Sequence, residues 1–223
     1  MGIRSVPQAF AIELLFPPMN YDQRKLKEFY LDISDRFNYP QFELLESGNG
    51  ATFSDKKGRQ TLFLPDRWKI EDKNTVLTYS EWSEQTIEFL SGATLHFKMP
   101  VFITQSITSN LLIPIEMGTM GAAFLHKHFL KLNNEQLSSF ERPLSGIGLR
   151  FVFPPTEKNK NEIQLRLEPY FRDRSMLYLE IIFRSFFPCT DTTQLKSIFD
   201  ESYRFLDEKF ESFFTSLSDT DKG

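Results

Sequence analysis

Cysteine is almost missing from this 223-residue chain, in which Cys189 stands alone. A single thiol forms no disulfide within the chain and no cysteine cage for zinc, and such sparse use fits a reducing compartment. Long apolar runs are missing as well. The longest candidate, Met99–Ile115, is interrupted by Thr104, Gln105, Ser106, Thr108, Ser109 and Asn110, far from the ~20 apolar residues a membrane span needs. Residues 1–16 lack the charged start and apolar core of a signal peptide, because Pro7, Gln8 and Glu13 interrupt them. Gly2 does not read as a myristoylation site, since Val6 stands where that motif wants Ser or Thr. These features place the protein in the cytoplasm, with no membrane partner expected.

A dominant charge is also lacking. Lys and Arg number 26 against 30 for Asp and Glu, a formal charge of −4, too small for a global field toward nucleic acid or anionic lipid. Phosphate and hydrolase motifs fail on inspection. Gly118-Thr119-Met120-Gly121 has no GK[ST] ending, Gly146-Ile147-Gly148 lacks a third glycine, and neither a G-x-S-x-G elbow nor an HExxH occurs. Acidic pairs such as Glu13 with Asp22 or Glu168 with Glu180 have no spacing that sets a general acid and base apart from surface charge. No cofactor is implied.

What the chain does contain is phenylalanine: 24 copies, against 7 Tyr and 2 Trp, within a 40% hydrophobic composition. Bulky rings are expected to fill the interior. Ala9–Phe16 reads as a strand ended by Pro17 and Pro18. Asn20 is a candidate N-cap for a helix over Tyr21–Phe37, with Leu26, Phe29, Tyr30, Ile33 and Phe37 at helical spacing. Polar turns then separate short segments around Phe42, Phe53, Leu62–Leu64 and Val76–Tyr79, the signature of an antiparallel meander. The first half thus reads β-α-β-β-β-β.

Ser80 is a candidate cap for a second helix, Glu81–Phe97, with carboxylates in its first turn. After Pro100, Val101–Ile113 reads as a long strand. Ala122–Leu132 fits a strand or a short helix, and Asn133–Pro143 has the polarity of a loop. Gly146–Phe153, Glu162–Tyr170 and Met176–Phe187 form a second set of strands. The last helix is the clearest element: Leu195, Phe199, Tyr203, Leu206, Phe210, Phe213 and Leu217 step by three and four along one stripe, and Asp191 can cap it. The expected fold is α+β, with antiparallel sheets carrying long helices on one face. Two fused ferredoxin-like halves, 1–99 and 100–217, with a frayed tail over 218–223, are the expected organisation, and a single continuous sheet is the alternative.

Few residues could carry chemistry. His126 and His128, on a strand, would share one face as metal ligands do, but two ligands do not make a site. Cys189 sits near the start of the last helix, where the dipole could lower a thiol pKa, yet no histidine lies nearby in sequence to act as its base. Arg150, Arg166, Arg172, Arg174 and Arg184 concentrate positive charge in the second half. Gly148-Leu149-Arg150-Phe151-Val152-Phe153 faintly echoes the central strand of an RNA-recognition sheet. Interleaved carboxylates favour a solvated surface instead.

Leu165-Arg166-Leu167-Glu168-Pro169, Arg172-Asp173-Arg174-Ser175 and Leu177-Tyr178-Leu179-Glu180-Ile181, followed by the Phe-rich helix, resemble a sporadically distributed prokaryotic family of uncharacterised proteins. Tyr79-Ser80-Glu81-Trp82 is similar to its N-terminal half. The resemblance implies a two-part α+β fold and a prokaryotic cytoplasmic setting, and it implies no activity or catalytic residue. The sequence therefore points to a non-enzymatic binding or scaffold protein for a protein partner or ligand, with an RNA-binding or RNA-processing protein as the alternative. Tyr203, Phe210 and Phe213 give the last helix enough bulk to be the first place to seek a contact with a partner or a second copy.

Overall fold

The strand β1, Val6–Leu15, buries Phe10, Ile12 and Leu14 and leaves Ala9, Ala11 and Glu13 partly exposed on its other face. That two-residue period belongs to a strand covered on one side. In the computed structural model, which describes residues 5–115, 120–130, 137–138, 141–142 and 145–219, β1 is the central strand of one nine-stranded sheet. The other strands are β2 (Gln41–Leu44), β3 (Ala51–Ser54), β4 (Arg59–Leu64), β5 (Arg67–Lys73), β6 (Thr104–Pro114), β7 (Leu149–Phe153), β8 (Glu162–Pro169) and β9 (Met176–Ser185). They run in the order β2-β3-β4-β5-β1-β6-β9-β8-β7, and each pairing is antiparallel.

The helices cover one face. They are α1 (Gln23–Phe37), α2 (Tyr79–Phe97), α3 (Gly121–Phe129) and a C-terminal helix made of α4 (Thr192–Arg204), a π-helical turn at Phe205–Phe210 and α5 (Glu211–Asp219). The core is a chain of rings. Phe29 of α1 meets Phe63 of β4 and Phe97 of α2 at 6.0 and 5.2 Å, and Trp82 of α2 bridges Phe10 of β1 and Phe199 of α4 at 5.2 and 5.5 Å. Edge-on contacts recur among them, the geometry that aromatic quadrupoles favour.

The expected pair of ferredoxin-like domains is corrected to a single sheet. β1 pairs with both β5 and β6, so the ladder crosses the boundary near Pro100 without a break. Among the described elements, neither half follows the β-α-β-β-α-β order. The first runs β-α-β-β-β-β-α and the second β-α-β-β-β-α. Laid out from the centre, β1-β5-β4-β3 and β6-β9-β8-β7 match strand for strand, a pseudo-twofold arrangement about the β1–β6 pair. A central ladder whose two strands bury Ile12 and Ile107 side by side welds the halves into one hydrophobic unit.

Several local expectations change. The cap of α1 is Asp22, whose carboxylate accepts from the Arg24 amide at 2.8 Å. Asn20 instead accepts from Asn49 Nδ2 at 3.0 Å, tying the loop to the turn before β3. Thr78 rather than Ser80 caps α2, in a reciprocal capping box with Glu81. The segment Val76–Tyr79 is not a strand: Val76 is 96% exposed, and the strand is β5, whose apolar signal is only Trp68 and Ile70 between charged neighbours. The stripe of the last helix is broken as well. Leu195, Phe199 and Phe210 are buried, the π turn inserts extra backbone so that Phe214 rather than Phe213 is buried after it, and Tyr203, which precedes the turn, is 43% exposed. Most of the loop expected over 133–143, and the tail beyond Asp219, lie outside the described residues.

Candidate binding cleft

On the helix side of the second half, β7, β8 and β9 leave a half-open cleft of about 1370 Å³ against the C-terminal helix. Strand alternation builds its floor. Phe153 pairs with Ile163, and Ile163 with Phe183, so the three side chains stand in one row on the covered face. Phe151, Leu165 and Ile181 form the next row inward. Ile198 of α4 and Phe205 and Phe210 of the π turn form the opposite wall, and Phe187 and Cys189 close one end. A π turn widens the helix where a straight stripe would continue, and such turns recur at functional sites. Phe153 and Phe187 are 47% and 52% exposed, which is unusual for rings that share one concave surface.

The rim is polar, and its charged side chains are cationic apart from Glu201. The hairpin between β7 and β8 brings Lys158 and Lys160, and the helix brings Arg204 and Lys209. The one acidic residue among the described lining residues, Glu201, accepts from Asn161 Nδ2 at 2.7 Å, a contact that ties hairpin to helix. Cys189 does not become a nucleophile here. Burial pushes its thiol pKa up, the Sγ donates to the Asp191 carbonyl at 3.1 Å, and its backbone bridges that of Phe102. The helix dipole is outweighed by desolvation.

The opposite face of the sheet is open, and it holds three of the five candidate arginines. Arg166 donates to both oxygens of Glu168 at 2.7 Å, Arg184 donates to Glu162 at 2.9 Å, and Arg150 donates to the Gln164 side-chain oxygen at 2.7 Å. Arg172 and Arg174 lie apart, in the turn between β8 and β9. Tyr178 on the same open face has its phenol pushed up to about 12 by burial and by Glu180. The centre of this face is lined by small residues, Ala9, Ala11, Ser106 and Thr108, and presents no ring for base stacking there. Phe151 and Phe153, the echo of an RNA-recognition strand, face the helices instead and form part of the cleft.

His126 and His128 fall on α3, so at about 100° per residue their side chains point roughly 200° apart and cannot share a face. Among the described residues no group of three or more His, Cys, Asp or Glu could hold a metal ion, and no helix is long and apolar enough to cross a membrane. Tyr203 stacks on Tyr79 of α2 at 5.4 Å and is 43% exposed, and Phe210 is 3% exposed. Phe213 meets Phe129 and Phe151 at 6.1 Å beside the cleft. The sequence reading missed the cleft because its rows come from three strands and one helix. The local signal was the pair of lysines in the Lys158–Asn161 turn beside exposed aromatics. No protein-family model matches the chain, and no curated protein matches its sequence.

Proposed function

We propose that this chain is a non-enzymatic binding protein that takes a partner or ligand into the cleft between β7–β9 and the C-terminal helix. The observation that supports it is the pair of exposed rings, Phe153 and Phe187, in the cleft beside a rim that carries four cationic side chains. Exposed rings gathered in a concavity lower the free energy of an apolar guest by roughly 25 cal/mol for each Å² they bury. The nucleophile considered from sequence, Cys189, is buried and held as a thiol, which favours binding over catalysis. The arginines of the open face are engaged by carboxylates or an amide oxygen, which disfavours a phosphate-tracking stripe.

The test is affinity purification of the full chain from its native host, with nucleic-acid extraction, in three forms: wild type, a Phe153→Asp/Phe187→Asp variant, and an Arg166→Glu/Arg184→Glu variant. Retention that disappears only in the cleft variant is the expected result. Retention that survives it sinks the cleft as the site. Nucleic acid recovered with the wild type and lost with the open-face variant would replace this reading with an RNA-binding one.

A further inference from the structure

The place of the cleft is filled in the other half of the molecule. Thr61 of β4 pairs with Phe53 and Ile70, as Leu165 of β8 pairs with Phe151 and Ile181. In the adjoining row Arg59 pairs with Asp72, where the second half has Ile163 with Phe183. The end of α1 lies over these rows in the first half. The Tyr39 hydroxyl is 2.7 Å from Thr61 Oγ1, Arg59 Nη1 donates to the Phe37 carbonyl at 3.4 Å, and the Arg59 guanidinium sits 5.5 Å from the centre of the Tyr39 ring. The helix α1 has 15 residues and its counterpart α3 has 9. At about 1.5 Å per residue, α3 stops roughly 9 Å sooner. Its last ring, Phe129, reaches Phe151 at 6.3 Å, and the cleft opens beyond that contact. The row that α1 covers with polar links in one half is apolar in the other, where Phe183 is buried, Ile163 half-buried and Phe153 exposed.

We infer that the cleft receives an amphipathic α-helix of a partner protein, laid apolar face down on Phe153, Ile163 and Phe187, with acidic residues on its flanks. This inference rests on the cleft being the binding site. A helix with its side chains is about 10–12 Å across, and among the described residues the second half has no counterpart to the last turns of α1. The cleft, at about 1370 Å³, exceeds the roughly 300–1,000 Å³ typical of small-molecule sites. Charge specifies the flanks. Lys158, Lys160, Arg204 and Lys209 surround the mouth, and among the described residues none of them forms a salt bridge. An acidic flank would meet them on both sides of the groove, favouring encounter and fixing orientation.

The experiment is a display selection of random peptides of about sixteen residues, four to five helical turns, against the full chain, followed by fluorescence anisotropy of the enriched sequences. Expected winners carry apolar residues at i, i+3, i+4 and i+7 and net negative charge. They lose affinity by about tenfold or more with Phe153→Asp and with Arg204→Glu/Lys209→Glu. Circular dichroism of each variant confirms that it folds. No enrichment, winners without helical spacing, or basic winners would overturn the inference. Winners that need Phe153 but lack helical spacing leave the cleft as the site and remove the helix. Helical winners indifferent to Phe153→Asp remove the cleft itself. Two further results also overturn the inference: palmitate binding in the cleft with no peptide enriched, and a homodimer that Phe153→Asp dissociates, which would make a second copy the occupant.

Discussion

The hydroxyl of Tyr39 lies 2.7 Å from that of Thr61, and both groups are buried, at 1% and 0% exposure. This pair closes the first half of the sheet in the row that strand pairing matches to Phe151, Leu165 and Ile181 in the second half. Burial pushes the Tyr39 phenol well above its ordinary pKa, so it stays neutral and available to bond Thr61. Tyr39→Phe leaves the Thr61 hydroxyl without this partner, and should cost about 1–3 kcal/mol in urea unfolding. Adding Thr61→Val to that variant should recover much of the loss. A double variant as unstable as the single one would show that the bond is not what secures this end.

The π turn shifts the buried stripe of the C-terminal helix onto Phe214, which is 6% exposed and stacks on Phe124 of α3 at 5.4 Å. Phe214→Ala should therefore destabilise the protein by about 3–5 kcal/mol. Tyr203→Ala should lose only a partly exposed stacking contact, about 1 kcal/mol. Thermal and urea denaturation of the two variants compare them directly, and equal losses would contradict the difference in burial between Phe214 and Tyr203.

Cys189 is 1% exposed and its thiol pKa is raised, chiefly by burial. Alkylation by iodoacetamide at neutral pH should be slow in the native protein and about tenfold or more faster once it is unfolded, because only an accessible thiolate reacts. Rapid native labelling would return the cysteine to the list of nucleophiles.

Two carboxylates give pH dependences of opposite sign. Desolvation raises the pKa of Asp72, so its neutral form is favoured by folding; that contribution is complete below the unfolded carboxylate value, about 3.9, and is lost as pH rises through the folded one. Asp72→Asn should thus raise the melting temperature at pH 7, with the gain fading in acid. A lower melting temperature would mean that the attraction to Arg59 outweighs the desolvation.

Glu81 behaves in the reverse way. Its carboxylate accepts from the Thr78 backbone amide and hydroxyl, both at 2.8 Å, and these bonds lower its pKa. The stability it contributes is present above the unfolded carboxylate value and is lost as pH falls through the depressed folded one. Thr78→Ala, which removes the other side of the capping box, should cost about 1 kcal/mol. The stability deficit of Glu81→Gln should be visible at pH 7 and should shrink in acid; a deficit constant across that range would rule out the charge as its source.

Elements whose own residues bury a full face were legible in sequence. β1, α1, α2 and β9 each repeat their apolar residues at one period, and each formed close to where that period indicated. β5 was not legible, because Trp68 and Ile70 become a stripe only when Phe63 and Ile12 pair beside them. The candidate site shows the same division. Phe210 and Phe213 were singled out for their bulk, while Phe153, Ile163 and Phe183 became a floor only through the registers of β7, β8 and β9.

By itself, the sequence determined an α+β chain with an aromatic core and near-balanced charge, because composition and local periodicity depend on neighbours a few residues away. Tertiary structure alone decided that the two halves share one sheet, since strand pairing joins residues as far apart as Ile12 and Ile107. It also decided that the five arginines do not form one surface and that the two histidines diverge, because strand register and helix phase set where a side chain points. The cleft belongs to this second class. Its walls come from three strands and a widened helix.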